Sequence, residues 1–184
     1  MNLLRLVVAG SAVAAVCATV PTATAAEAPA PSGTVAAPIS AKADAEARAF
    51  AADNSAAVAA ATTVCGTGYE FTDAKQLPNA DNRYGTLFFY MKGNSACAIL
   101  DNNTPGGANY MDLKMYPGDT PSAGGRDYGN FSEYAGPVYS STLAQGGRCV
   151  TITALMKNEA GTSNLINWKG GYVFAVDSSS SVCA

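Results

Sequence analysis

The sequence contains no histidine, and that absence removes much of ordinary enzyme chemistry. Ser-His-Asp and Cys-His nucleophile systems need an imidazole to take the proton, and the common zinc centres use it as a ligand. The five cysteines never fall in a C-x-x-C spacing and do not cluster, which leaves a cysteine-only metal centre without support. There is no glycine-rich phosphate loop, since Gly66-Thr67-Gly68 is too short and follows a cysteine rather than a strand. Positive charge is not in excess. From Cys65 to Ala184 there are eight basic and ten acidic side chains, a balance that predicts no electrostatic footprint for nucleic acid or anionic lipid. Beyond the N-terminus no apolar run approaches the roughly 20 residues of a membrane span, and no internal repeat is visible.

What is present begins with a short charged start, Met1 to Arg5, and an apolar run from Leu6 to Val20. Pro21-Thr22-Ala23-Thr24-Ala25-Ala26 follows, with Ala23 and Ala25 placed as an A-x-A cleavage signal. That order is a secretory signal peptide over residues 1–26, so export is expected. Cys17 lies inside it behind Val16, a poor lipidation context, and is expected to be lost with the signal. Residues 27–63 read as a flexible lead. Glu27 to Ser40 is Pro, Ala, Ser, Gly and Thr with a single charge, a solvated composition. Ala41 to Ala61 is alanine-rich with scattered charges. Alanine favours helix, but an isolated helix this short is marginal, so a linker with a possible helix that flickers or docks weakly is expected, a spacer ahead of the alternative of a propeptide or partner-binding helix.

Without Cys17 the cysteines number four: Cys65, Cys97, Cys149 and Cys183. An even count in an exported chain implies two disulfides. Three pairings are open, and the expectation leans to Cys97–Cys149 within the domain and Cys65–Cys183 joining its ends. Loops of that size stabilise by about 3 to 5 kcal/mol each in the chain-entropy model.

From residue 64 to 184 the pattern is that of a small antiparallel β-sandwich or barrel. Leu87–Met91 and Ala96–Leu100 flank the turn Gly93-Asn94-Ser95 and read as a hairpin. Tyr110 to Tyr116 alternates as a half-buried strand would. Phe131–Tyr139, Cys149–Met156, Leu165–Lys169 and Tyr172–Val176 supply further strands. Short strands punctuated by Gly and Pro argue for all-β rather than α/β.

Several segments together resemble a known family: Cys65-Gly66-Thr67-Gly68-Tyr69, Gly85-Thr86-Leu87-Phe88-Phe89-Tyr90, Asp127 to Tyr139 with its Tyr-Ala-Gly-Pro-Val-Tyr block, Gly147-Arg148-Cys149-Val150 and the penultimate Cys183. The chain from Cys65 onward is similar in these to the spore-associated protein A family, small secreted proteins of filamentous sporulating Gram-positive bacteria. The resemblance implies a location at spore or aerial surfaces and carries no catalytic residues. It does not extend to the alanine-rich lead.

The remaining site candidates are weighed on chemistry. Asp127 and Glu133 are the carboxylate pair a glycosidase would need, but acids at turns and strand ends are ordinarily just solvated. Asp101, Asn102 and Asn103, with Asp119 or Asp127, offer oxygens to calcium, although Asx turns explain them more simply. Tyr128, Tyr134, Tyr139, Tyr110, Tyr116 and Trp168 form a candidate aromatic face for sugar rings, with Asp127 and Glu133 beside it; against it stands plain core packing. The expectation is a secreted, non-enzymatic surface protein without cofactor. Its partner would be a cell-wall or spore-surface polysaccharide or an extracellular protein, neither nucleic acid nor a membrane span. The alternative is a protease inhibitor or protein-binding module presenting Asn102–Ala108 or Gly118–Arg126 as a rigid loop.

Overall fold

A computed structural model describes residues 36–118, 120–141 and 149–173. The expected signal peptide, residues 27–35 of the lead, Asp119 and Cys183 lie outside the described residues. In chain order the elements are α1 (Ala45–Asp53), α2 (Ser55–Cys65), β1 (Glu70–Pro78), β2 (Arg83–Lys92), β3 (Ser95–Asn102), β4 (Asn109–Pro117), β5 (Gly125–Phe131), β6 (Tyr134–Ser141), β7 (Cys149–Lys157) and β8 (Asn164–Val173), with one 3-10 turn at Pro121–Ala123. The strands make two antiparallel four-stranded sheets, ordered β1-β2-β3-β6 and β5-β4-β7-β8. The two sheets face each other across a core that includes Leu87, Phe89, Leu100, Met111, Leu113, Ile152 and Met156. This is the all-β, two-sheet architecture the patterning implies.

The two sheets differ in how their outer sides are treated, and the strand sequences say why. Along β2, Leu87, Phe89 and Met91 enter the core between the sheets. Phe88 and Tyr90 project the other way and are buried too, with Phe71, Cys97 and Ile99. An apolar run without alternation is what a strand covered on both sides requires. The cover is the alanine-rich segment. Ala47 and Ala51 on α1 and Val58, Ala61 and Cys65 on α2 are buried against that outer side, at the i, i+3, i+4 spacing that lines one helix face. The alanines let the helices approach closely while the sheet's aromatic rings fill the space. Phe50 lies 6.4 Å from Phe71 and 6.1 Å from Phe88 between ring centroids, and the Tyr90 hydroxyl donates to the Val58 carbonyl at 2.8 Å.

Further ties fix the layer in place. The Asp44 side chain caps α1 by accepting from Ala47 N at 2.8 Å. Ahead of it, Phe71 N donates to Pro38 O and Ser40 N to Phe71 O, both at 2.8 Å, so residues 38–40 extend the edge of β1. The spacer expected before residue 64 is therefore, from residue 36 onward, part of the folded domain. Composition alone missed this because the docking surface is supplied by strands that follow it in sequence.

The disulfide is a second correction. Cys65 bonds Cys97, with 6.0 Å between Cα atoms, in place of the expected Cys97–Cys149 and Cys65–Cys183. Strand alternation explains the choice. Ala96, Ala98 and Leu100 fill the core between the sheets, which sends Cys97 outward, beneath the end of α2. Cys149 opens β7 in the other sheet.

The strand boundaries also moved. Phe131–Tyr139, read as one strand, is split by a turn at Ser132-Glu133 between β5 and β6, and β1 was not anticipated. Leu165–Lys169 and Tyr172 onward belong to one strand, β8, running through Gly170-Gly171. Gly170 is needed there because a side chain would collide with the Trp168 indole. Gly136, with φ +109°, sits in β6 opposite an irregularity in β3, and a Cβ on it would come within 2.8 Å of the Ala98 carbonyl oxygen.

Candidate functional site

Since the helices cover one sheet, the outer side of β5-β4-β7-β8 is the broad surface left open. Its composition follows from β4, whose sequence alternates. Met111, Leu113 and Met115 are buried inward, so Tyr110, Asp112, Lys114 and Tyr116 point to the other side, where Tyr116 is covered, at 6% exposure, and Gly124 packs against it. Paired residues on neighbouring strands share a side, and the register therefore extends the surface. Arg126, Lys114, Thr153 and Lys169 form one row across all four strands; Tyr128, Asp112, Leu155 and Asn167 form the next. At about 4.8 Å per strand a row is roughly 14 Å wide.

Cations and tyrosines interleave on this surface. Arg126 makes a two-point pair with Asp112, at 2.8 Å from Nε and 2.6 Å from Nη2, and its guanidinium carbon lies 4.3 Å from the Tyr128 ring centroid. Asp112 also holds the Arg126 pKa above its already high ordinary value, first through the hydrogen bonds and then through charge. Lys114 lies 5.7 Å over the Tyr116 ring and Lys157 5.7 Å over Tyr110. Among the described residues, four basic side chains thus share the surface with one acid, Asp112. Among the described residues Lys114, Lys157 and Lys169 pair with no carboxylate. The charge balance of the chain had suggested no basic patch; the fold creates one by sorting the charges.

Of the aromatic residues singled out from the sequence, Tyr110, Tyr116 and Tyr128 share this side of the sheet, while Tyr134, Tyr139 and Trp168 lie elsewhere. Tyr128, 59% exposed, lies on the open surface. Tyr134 and Tyr139 are on β6 in the other sheet. Tyr134 packs beside the helical layer, and Tyr139 donates its hydroxyl to the Cys65 carbonyl at 3.2 Å, with its ring 5.9 Å from Tyr69. Trp168 pairs with Ala154 and turns inward against the core. Asp127 is next to Tyr128 in sequence but points to the opposite side, where it accepts the Gly136 N–H at 2.7 Å. Glu133 sits in the β5–β6 turn, its carbonyl accepting from Asn102 N. What sequence reasoning missed is Arg126, Lys114, Lys157 and Lys169; the signal was the polar half of β4's alternation.

Other places offer less. Between α2 and its sheet lies a cavity of 120 Å³ lined by Ala57, Ala61, Val64, Phe88, Ile99 and Tyr134, with Asp101 at its wall. Burial pushes the Asp101 carboxyl up, and a hydrogen bond from Asn103 partly offsets this. The asparagines proposed for calcium are taken up internally. Asn102 Nδ2 donates to the Phe131 carbonyl and its Oδ1 accepts from Thr104, while Asn103 Oδ1 accepts from the Thr86 hydroxyl and its Nδ2 donates to Asp101. The loop after Asn102, one of the two candidate inhibitor loops, is further held by a bond from Gly107 N to Glu159. No group of three or more metal-ligating His, Cys, Asp or Glu side chains occurs among the described residues, and no helix there is long and apolar enough to cross a membrane. No protein-family model matches the chain, and neither does any curated protein or solved structure.

Proposed function

We propose that the protein is an exported, non-enzymatic binding module of the cell-wall or spore surface, and that the outer side of β5-β4-β7-β8 is its binding surface. The observation that carries this reading is the asymmetry of the two sheets: one outer side is roofed by helices, while the other presents exposed tyrosine and basic side chains on rigid strands. Side chains fixed on strands lose little freedom on binding, and tyrosine joins an apolar ring to a polar tip, which suits a hydroxyl-rich polymer. The signal-peptide pattern and the resemblance to spore-associated protein A support the location. A binding role rather than catalysis is supported by Asp127, whose carboxylate is committed to the Gly136 N–H. Cys149–Cys183 is the second disulfide in this reading, consistent with Cys149 being oxidised.

Cosedimentation of the full chain with spore-wall and cell-wall preparations tests the proposal. Saturable binding is expected, weakened when Tyr110 and Tyr128 are both changed to alanine. A chain that stays in the supernatant, or a double variant that binds as well as the original, would remove this surface from consideration.

A further inference from the structure

Resting on that reading of the open surface, we propose that its ligand is an acidic polysaccharide, with carboxylates held by Lys114, Lys157 and Lys169. The first argument is charge sorting. The chain carries a formal net charge of −3, yet among the described residues of this surface a single acid, Asp112, faces four basic groups and is itself engaged by Arg126. The acids that make the chain negative lie elsewhere: Asp44, Glu46 and Asp53 in the helical layer, Glu70 and Asp73 on β1. Among the described residues these three lysines have no carboxylate partner, although the chain holds more acidic than basic side chains, and they leave a surface complementary to an anion.

The second argument is that the tyrosine rings already have cationic neighbours. A neutral sugar binds such a platform by stacking on a ring, but Arg126, Lys114 and Lys157 each lie over a tyrosine on this surface. A stacked sugar would have to displace them. An anion asks for no displacement: it meets the ammonium group where it stands, beside the exposed Tyr128 ring. The spacing argues for a glycan rather than a nucleic acid. Lys114 and Lys169 are two strands apart, on the order of 10 Å, which suits a polymer charged once per one or two sugar rings. Nucleic acid is far more densely charged and is held through many phosphate contacts or through open stacking rings, and this surface provides neither.

The test uses the full chain and two soluble probes with one backbone, polygalacturonate and its fully methyl-esterified form. Polygalacturonate is expected to bind, with affinity falling as salt is added, and the ester to bind little or not at all. Changing Lys114, Lys157 and Lys169 together to glutamine should weaken polygalacturonate binding by about tenfold or more; the three are surface residues, and an unchanged circular dichroism spectrum verifies the fold. Equal affinity for the ester would overturn the acidic ligand while leaving the surface as a binding site. Indifference to the lysine changes would overturn the assignment of these residues. Failure of polygalacturonate to bind would overturn the proposed carboxylate class, and wall cosedimentation judges the surface itself separately. Tighter capture by single-stranded DNA or by anionic vesicles would replace the glycan with that partner.

Discussion

Removing residues 1–64 should leave a chain that cannot fold as a stable monomer, although that cut falls where composition changes most sharply. The magnitude follows from what α1 and α2 cover. Phe71, Phe88, Tyr90 and Ile99 are each at most 2% exposed beneath the helical layer. Burying side chains of this size stabilises by about 1.5 to 3 kcal/mol each, so uncovering all four forfeits roughly 6 to 12 kcal/mol. That is an upper estimate, because unfolded chains already hide some apolar surface, but it matches the roughly 5 to 15 kcal/mol that holds a typical domain together. The shortened chain should aggregate or lose cooperative urea unfolding, followed by circular dichroism and gel filtration. A milder version avoids collapse. Val58, 1% exposed, lies at the centre of the contact, and Val58→Ala should cost about 2 kcal/mol, lowering the melting temperature by about 4 to 8 °C. Exposed Ala56 is the control, and Ala56→Ser should stay within about 0.5 kcal/mol. If residues 65–184 fold as a monomer with the full chain's urea midpoint, or if the Val58 and Ala56 variants are equally stable, the helical layer is not structural.

Three other outcomes are expected. Replacing Cys65 and Cys97 together by serine opens a link spanning 32 positions, worth about 4 kcal/mol in the chain-entropy model; urea denaturation should show the loss, and one below about 1 kcal/mol would mean the helices hold without it. Asp101 has its pKa raised by burial in the folded state. Its contribution to stability is therefore full below the unfolded value near 3.8 and is lost as pH rises through the folded one. Asp101→Asn should accordingly be more stable than the original at neutral pH, with the difference closing in acid; a variant weaker at neutral pH refutes the burial argument. Tyr90 is raised by burial beneath α2, so its contribution is complete below the ordinary tyrosine pKa near 10 and declines above it. Tyrosinate absorbance should rise first from exposed rings and later in step with the loss of circular dichroism, and Tyr90→Phe should cost about 1 kcal/mol for the bond to Val58.

The hairpin of β2 and β3 and the strands β4 and β7 were legible because their residues are large, apolar and regularly spaced. The strands that escaped notice or were misplaced are at sheet edges. β1 buries only Phe71 and Leu77 along Glu70–Pro78, and carries Asp73 and Lys75 as an edge strand tolerates. β5 places Gly125 and Gly129 on its inner side, so its alternation has almost no apolar half to detect. The helical layer was hidden for another reason. An alanine face has little hydrophobic contrast, and its stability comes from rings on strands that follow it in sequence.

The proposed binding surface was obscured by treating nearness in sequence as nearness in space. Tyr128, Tyr134 and Tyr139 fall within one short stretch, but the turn at Ser132-Glu133 carries the chain from one sheet to the other, which separates Tyr128 from the other two. A better guide was the contrast between strands. Leu87–Met91 is apolar without alternation and therefore needs cover on both sides, whereas Tyr110 to Tyr116 alternates and needs cover on one. Taken together, these two patterns decide which sheet is roofed and which faces solvent, and hence which side chains a ligand can reach. The same contrast locates the charge. Lys114 and Asp112 occupy the polar half of the alternating strand, and the register then brings Arg126, Lys157 and Lys169 to the same side, so a net negative chain presents a basic surface.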